Sequence, residues 1–248
     1  MVTSFAEGVW YDTGPVRIVG MRLTATMTVL DLGDGGLLLH SPLPLTPERR
    51  AAVLALGKVT ELYAPNTFHH AWLGEWSQAF PEARVHAPAA LAGKRPDLRI
   101  DRFHDQEQKV SFSDLVREIP IAGFRLAETV LVYRPSDTAV ITDLVHNIGR
   151  PADPWTKLYS RAMGFYGRVA LSRAIRWTAF SDRRAARRSI DVLLGQRFEG
   201  LIVGHGAPIP EFGREALAGA LAFLPSAAPS LLKARGRQPP FFSTKPCG

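Results

Sequence analysis

A chain of 248 residues, 46% apolar and carrying a formal charge of +7, is large and apolar enough to bury a core, which excludes a wholly disordered protein. Its apolar runs, such as Val130 to Tyr133 and Ala216 to Leu224, fall far short of the roughly 18 to 20 residues that span a bilayer, so no transmembrane helix is expected. Cys247 is the lone cysteine, which rules out an internal disulfide and a thiolate metal cluster and leaves His and carboxylates as the metal ligands to look for.

Met1 to Tyr11 carries Glu7 and lacks both a basic opening and a continuous apolar stretch, so no secretory signal is expected and a cytoplasmic location follows by default. From Arg22 to about Leu39 the chain reads as a β-hairpin, with Thr-rich alternation, a Gly-Asp-Gly-Gly turn at 33 to 36, and then Leu37, Leu38 and Leu39. Thr46-Pro47-Glu48-Arg49 opens a helix that Gly57 stops. A strand over Glu61 to Ala64 is broken by Pro65-Asn66. His70 to Phe80 then has helical spacing of Trp72, Leu73, Trp76 and Phe80, and a short strand covers Arg84 to Ala87. Residues 88 to 109 read as a loop with one short helix.

Glu128 to Tyr133 and Thr138 to Thr142 form a second hairpin around Arg134-Pro135-Ser136-Asp137. Residues 150 to 195 are expected to be mostly helical, and Leu201 to Val203 a buried strand ending in Gly204-His205-Gly206. The last helix of that stretch is capped by Ser181 or Asp182 and ended by Gly195, with Ala186, Ile190, Leu193 and Leu194 as its buried stripe. Domain boundaries are placed at 1–225 for one folded domain and 226–248 for an extended or loosely ordered tail.

Chemistry-bearing residues collect where expected strands end: His40; the loop holding Asn66, His69 and His70; Asp143; and His205. Ligands gather at such ends because loops there free side chains from the ladder. The second hairpin adds a sharper argument. Pairing Tyr133 with Thr138 sets Glu128 opposite Asp143, and directly opposed like charges destabilise a sheet unless a proton is shared, the register slips, or a cation lies between them. A nearby metal resolves that conflict most simply.

The run from Glu128 through Val140-Ile141-Thr142-Asp143, with Ile202-Val203-Gly204-His205-Gly206 beyond a helical region, resembles the C-terminal half of metallo-β-lactamase-like proteins, in which the Asp bridges two metals and the final His binds one of them. Ala64-Pro65-Asn66-Thr67-Phe68-His69-His70 occupies the place of that superfamily's His-x-His-x-Asp-His motif. With His70 matched to the last His, Pro65 and Thr67 replace the first two histidines and His69 replaces the Asp. The His expected upstream of Asp143 is replaced by Phe124, Arg125 or a neighbour. Pro65-Asn66 with His69-His70, Gly74-Glu75-Trp76, Arg95-Pro96-Asp97-Leu98-Arg99 and Thr142-Asp143-Leu144 together resemble a bacterial branch of no assigned function. The resemblance spans roughly residues 20 to 210.

The resemblance implies an αββα sandwich and a reduced, mononuclear site for one divalent metal, zinc ahead of iron or manganese. His70, Asp143 and His205, helped by His69 or Glu128, are the candidate ligands, with an open position for a metal-activated water. Glu128, His69 and His40 are the candidate general bases. The leading expectation is hydrolysis of a small-molecule ester, lactone or phosphoester, with an anionic substrate left open. The alternative is a non-catalytic binding or scaffold protein on a degenerate version of the same fold. His86, His104 and His146 are read as ordinary core or surface histidines, and Trp72 and Trp76 as core. Arg183, Arg184, Arg187 and Arg188 are read as a solvated face, so nucleic acid is not an expected partner; oligomeric state is left open.

Overall fold

The structure, a computed structural model, describes residues 1–106 and 113–225. The tail expected over 226–248, with Cys247, lies outside the described residues, as do positions 107 to 109 of the expected loop. The first half contains β1 (Thr3–Ala6), β2 (Val9–Ile18), β3 (Met21–Asp31), β4 (Gly36–His40), α1 (Pro47–Leu54), β5 (Lys58–Tyr63), α2 (Leu73–Ala79), β6 (Arg84–Ala87), α3 (Ala89–Lys94) and β7 (Arg102–Phe103). The second contains β8 (Val116–Pro120), β9 (Thr129–Tyr133), β10 (Thr138–Val140), α4 (Pro154–Met163), α5 (Arg173–Thr178), α6 (Arg183–Leu194), β11 (Gly200–Ile202) and α7 (Gly213–Leu221).

β1 to β7 form one sheet in sequence order, and the other sheet runs β11-β10-β9-β8. Side chains alternate between the two faces of a strand, and here both faces are buried. On β4, Leu37 and Leu39 pack outward with Val53, Leu73 and Trp76 under α1 and α2, while Leu38 faces the other sheet with Val9 and Leu30. On β9, Val130 and Val132 pack outward with Ile190 and Leu193 of α6 and Leu217 and Leu221 of α7, while Leu131 and Tyr133 turn inward. Two sheets buried on both sides need uninterrupted apolar runs, which is why Leu37-Leu38-Leu39 and Val130 to Tyr133 do not alternate with polar residues. The result is the αββα sandwich. Among the described residues no helix is long and apolar enough to cross a membrane.

Three local outcomes differ from the expected pattern, each for a physical reason. β2 was masked in the sequence by Asp12, Gly14, Pro15 and Arg17, yet it pairs with β3 along its whole length, from Val9↔Leu30 to Ile18↔Met21. The two are joined by a tight turn in which Val19 and Gly20 both have positive φ, the twist-matched hairpin geometry. α2 begins at Leu73 rather than His70, because Asn66 Oδ1 accepts from the backbone N–H groups of Phe68 and His69 and holds 66 to 69 in a turn. Residues 165 to 172 are not helical: α4 stops at the left-handed Gly164, and Ala170 pairs with His146 instead. α6 forms as expected, with Asp182 accepting from Arg184 and Ala185 N–H and Gly195 at its end. Ala186, Ile190 and Leu193 are buried there, and Arg183, Arg184 and Arg188 are exposed.

Candidate metal centre

Three loops at strand ends build the site. The loop after β5 is governed by Asn66, fully buried, whose amide works in both directions. Besides the two backbone donors to its Oδ1, its Nδ2 donates to Asp143 Oδ2 at 2.7 Å and Thr142 Oγ1 at 2.9 Å. One side chain thus fixes where His69 leaves its loop and where Asp143 sits on the next.

Asp143 follows β10, where the register is Tyr133↔Thr138 as expected and the ladder closes at Leu131↔Val140. The opposed carboxylates of Glu128 and Asp143 are relieved differently from the expectation of a cation between them. Glu128 turns to the backbone, accepting from Thr142 N at 2.7 Å and Asp143 N at 2.9 Å, so its oxygens brace the loop that carries Asp143.

His205 follows β11 in a loop tied to β3. Thr26 N donates to Gly204 O at 3.0 Å, Gly206 N donates to Thr24 Oγ1 at 3.2 Å, and His205 Nδ1 lies 2.9 Å from the Thr24 carbonyl. The flanking glycines are required by contact. A Cβ on Gly204 would stand 2.8 Å from Thr142 Cα and 3.0 Å from His69 Cε1, and Gly206 has φ +99° against the Asn147 carbonyl.

Together these loops set His69 Nε2 at 3.4 Å from Asp143 Oδ2 and His205 Nε2 at 3.6 Å from Asp143 Oδ1. One ligand atom from each of the three lies within 4.8 Å of the others. The far nitrogen of each ring is occupied: His69 Nδ1 is 2.8 Å from Ser41 Oγ, just past the end of β4, and His205 Nδ1 meets the Thr24 carbonyl. Such outer partners fix the ring orientation and leave Nε2 facing the centre, as in proteins that hold metals through histidine. Two imidazole nitrogens and a carboxylate are donors that a borderline divalent ion accepts, with room left for further ligands. The residues therefore fit one ion.

Burial acts to raise the Asp143 carboxyl, but His69 and His205 overcome it and hold Asp143 well below the usual carboxylate range. Burial acts to lower His205, and its contact with Asp143 reverses that, leaving it raised. Glu128 is pushed upward by burial and then by the charge of Asp143. Asp143 is therefore the fixed anion among the three candidate ligands.

Of the expected ligands, His69, Asp143 and His205 converge and His70 and Glu128 do not. His70 turns away, with Nδ1 3.2 Å from an Arg95 guanidinium nitrogen. His40 is buried and stacked on Tyr63, and its Nε2 has no hydrogen-bond partner among the described residues. Sequence reasoning passed over Ser41 and Thr24, which hold the two rings, and treated His146 as ordinary. His146 is buried with its ring 5.6 Å from that of His205, and burial followed by the His205 charge lowers it to about 4. A polar residue one position beyond a strand-end histidine was the signal available for Ser41; Thr24 acts through its backbone, for which no residue type gives a signal.

No protein-family model matches the sequence, and no curated protein matches it. Solved structures do match. A metallo-β-lactamase from Pontibacter korlensis superposes with a TM-score of 0.63 at 13% identity, covering 90% of this chain and 98% of that one. The chain has the metallo-β-lactamase-like fold. The metallo-β-lactamase DIM-1 exposed to ceftazidime gives a TM-score of 0.62 at 12% identity, covering 90% and 96% of the two chains. FIM-1 from Pseudomonas aeruginosa, solved in a mono-zinc form, gives 0.59 at 11% identity over 90% and 94%. At such identities the likeness carries the fold and not the chemistry. Within the metallo-β-lactamase-like fold of this chain, the cluster opens on a cavity of about 470 Å³ whose wall includes His69, Asp143 and His205.

Proposed function

We propose that the protein is a metal-dependent hydrolase of a small-molecule ester, lactone or phosphoester, acting in the cytoplasm with one divalent ion held by His69, Asp143 and His205. Two imidazoles and one carboxylate suit zinc and iron(II) alike; zinc is taken first because hydrolysis needs a Lewis acid and no change of oxidation state. The observation that carries the reading is the convergence of three donors at the wall of a cavity, with each imidazole pinned from behind by Ser41 or Thr24.

When bound, the ion supplies Lewis acidity toward a substrate oxygen and toward water. The chain's own residues supply position. Asn66 holds Asp143 Oδ2, Glu128 holds the backbone N–H groups of Thr142 and Asp143, and Ser41 and Thr24 orient the two rings. In this reading none of the three expected bases serves. His69 is a ligand, Glu128 spends both oxygens on backbone N–H groups, and His40 is buried against Tyr63.

Elemental analysis of the purified protein supplied with zinc, iron or manganese tests the proposal, together with chelator-sensitive cleavage of a panel of esters, lactones and phosphoesters. About one metal per chain and hydrolysis lost on chelation are expected. Less than about 0.2 metal per chain under all supplies would overturn the reading in favour of a binding or scaffold protein.

A further inference from the structure

The basic charge that marks the chain as a whole is absent, among the described residues, from the two cavities that border the candidate metal centre. Lys and Arg number 30, yet among the described residues neither lines the 470 Å³ cavity beside His69, whose wall is built from residues such as Val16, Ala25, Phe68, Trp72 and Leu126. A second cavity of about 240 Å³, walled by Met21, Leu23, Ile148, Tyr159 and Phe165, is likewise free of both residue types among the described residues. The two cavities share Ile18, Ile175, Asp143 and His205. The candidate metal centre therefore stands at the waist of a two-chambered apolar space. Phe68 and Val19, each more than half exposed, extend the apolar lining of the two chambers to the surface.

An anionic group on a ligand arm would lose its hydration in either chamber and find no Lys or Arg among the described lining residues to replace it. A methylene group in the same place gains by leaving water. The polar atoms that do reach both chambers belong to Asp143 and His205, at the waist. We infer that the twin cavity takes a neutral ester-type molecule with an apolar group on each side of its polar link, one group per chamber and the link at the waist. That this link is the bond broken rests on the hydrolase reading above. Water's oxygen then bonds to the acyl carbon, the acyl C–O bond breaks, and the proton water gives up ends on the departing alcohol oxygen. No oxidant or reductant is needed.

The test uses the full-length protein as purified and again after chelation, with the neutral fluorophore N-phenylnaphthylamine as probe and uncleavable dialkyl ketones as competitors. Ketones lengthened on both sides should bind about fourfold more tightly per added methylene until the chambers fill, and methyl ketones lengthened on one side only should stop gaining sooner. Alkyl phosphates and carboxylates of equal length should bind at least about tenfold more weakly to the chelated protein. Ala71→Trp, at the exposed edge of the larger chamber, and Ala174→Trp, in the wall of the smaller, should each weaken long ketones by about tenfold with melting temperature unchanged. Should either fail to fold, Thr178→Trp and Val19→Arg, at exposed positions of the two linings, replace them.

A response flat in chain length, tighter binding of the anions, or ketone affinity indifferent to both folded variants overturns the inference. Chain-length-dependent binding without ester cleavage by metal-loaded protein supports the twin cavity and overturns the hydrolase reading. Cleavage indifferent to chain length on both sides does the reverse.

Discussion

His40, His86 and His104 gather around one residue, as His69 and His205 do, but the two gatherings have different chemistry. The first three rings stack nearly parallel on Tyr63, with centroids 5.8, 5.7 and 4.6 Å away, and Tyr63 packs between the two sheets. His86 and His104 spend their polar atoms locally: His86 Nε2 on Glu61 at 2.5 Å, His104 Nδ1 on Thr129 and Nε2 on the Ala64 carbonyl, each at 2.8 Å. In the other gathering both rings aim Nε2 at one carboxylate, have Nδ1 held from behind, and border a cavity. Closeness of histidines is common to both. What separates a candidate metal centre from a packed cluster is the direction of the nitrogens and access from solvent.

Substitutions across the two clusters test that distinction most strongly. Asp143→Ala or His205→Ala should cost roughly 3 kcal/mol or more of zinc affinity, about two orders of magnitude, read by titration against a competing chelator. His104→Gln should leave zinc affinity within about threefold of the parent while lowering stability, because it disturbs a satisfied buried pair of hydrogen bonds. Equal loss of zinc from His104→Gln would break the comparison.

The packed cluster should instead declare itself in acid. Burial, followed by the charges of His69 and His104, lowers His40 from its ordinary 6.5 to about 3, and burial lowers His104 to about 4. The folded pKa values lie below the unfolded value, so the unfolded chain binds more protons as pH falls through 6.5. Their stabilising contribution is complete above that pH and is lost progressively down to about 4 for His104 and about 3 for His40. Each residue should cost roughly 2 kcal/mol by about pH 5, and urea midpoints at about pH 7.5 and about pH 5 measure the sum. A midpoint that holds or rises on acidification would show these rings to be charged or hydrated in the native protein.

The sheet architecture was legible because it is written locally. Continuous apolar runs marked β4 and β9, Pro135 and Asp137 marked the turn that sets Tyr133↔Thr138, and Asp182 and Gly195 marked the ends of α6. Asp143 and His205 followed from their places at strand ends. The choice between His69 and His70 was not written locally. It is made by Asn66, whose amide bonds to Asp143, a residue 77 positions away, and by Ser41, 28 positions before His69. The partner of His205 is a backbone carbonyl 181 positions earlier. Sequence periodicity reports which face of an element is buried, and it is silent about contacts closed across the sandwich.

Ser41 offers a finer test of the same long-range geometry. Ser41→Ala removes the partner of His69 Nδ1 and leaves the ligand itself in place, so zinc should bind about tenfold more weakly, the usual cost of losing such an outer hydrogen bond. An unchanged affinity in Ser41→Ala would mean that the ring is held by packing alone.

The smallest effect is expected at His70, beside His69 in sequence and outside the donor set in space. Its ring faces Arg95, and it is lowered by burial and then by the charges of Lys94 and Arg95. His70→Ala should therefore keep about one zinc per chain, with affinity within about twofold of the parent and a stability change of no more than about 1 kcal/mol. His69→Ala should lose zinc as His205→Ala does. The opposite pattern, with His70→Ala emptying the site and His69→Ala leaving it filled, would mean that the loop after Asn66 delivers the other ring. The motif alignment that pairs His70 with the final motif histidine would then describe the centre better than the turn set by Asn66.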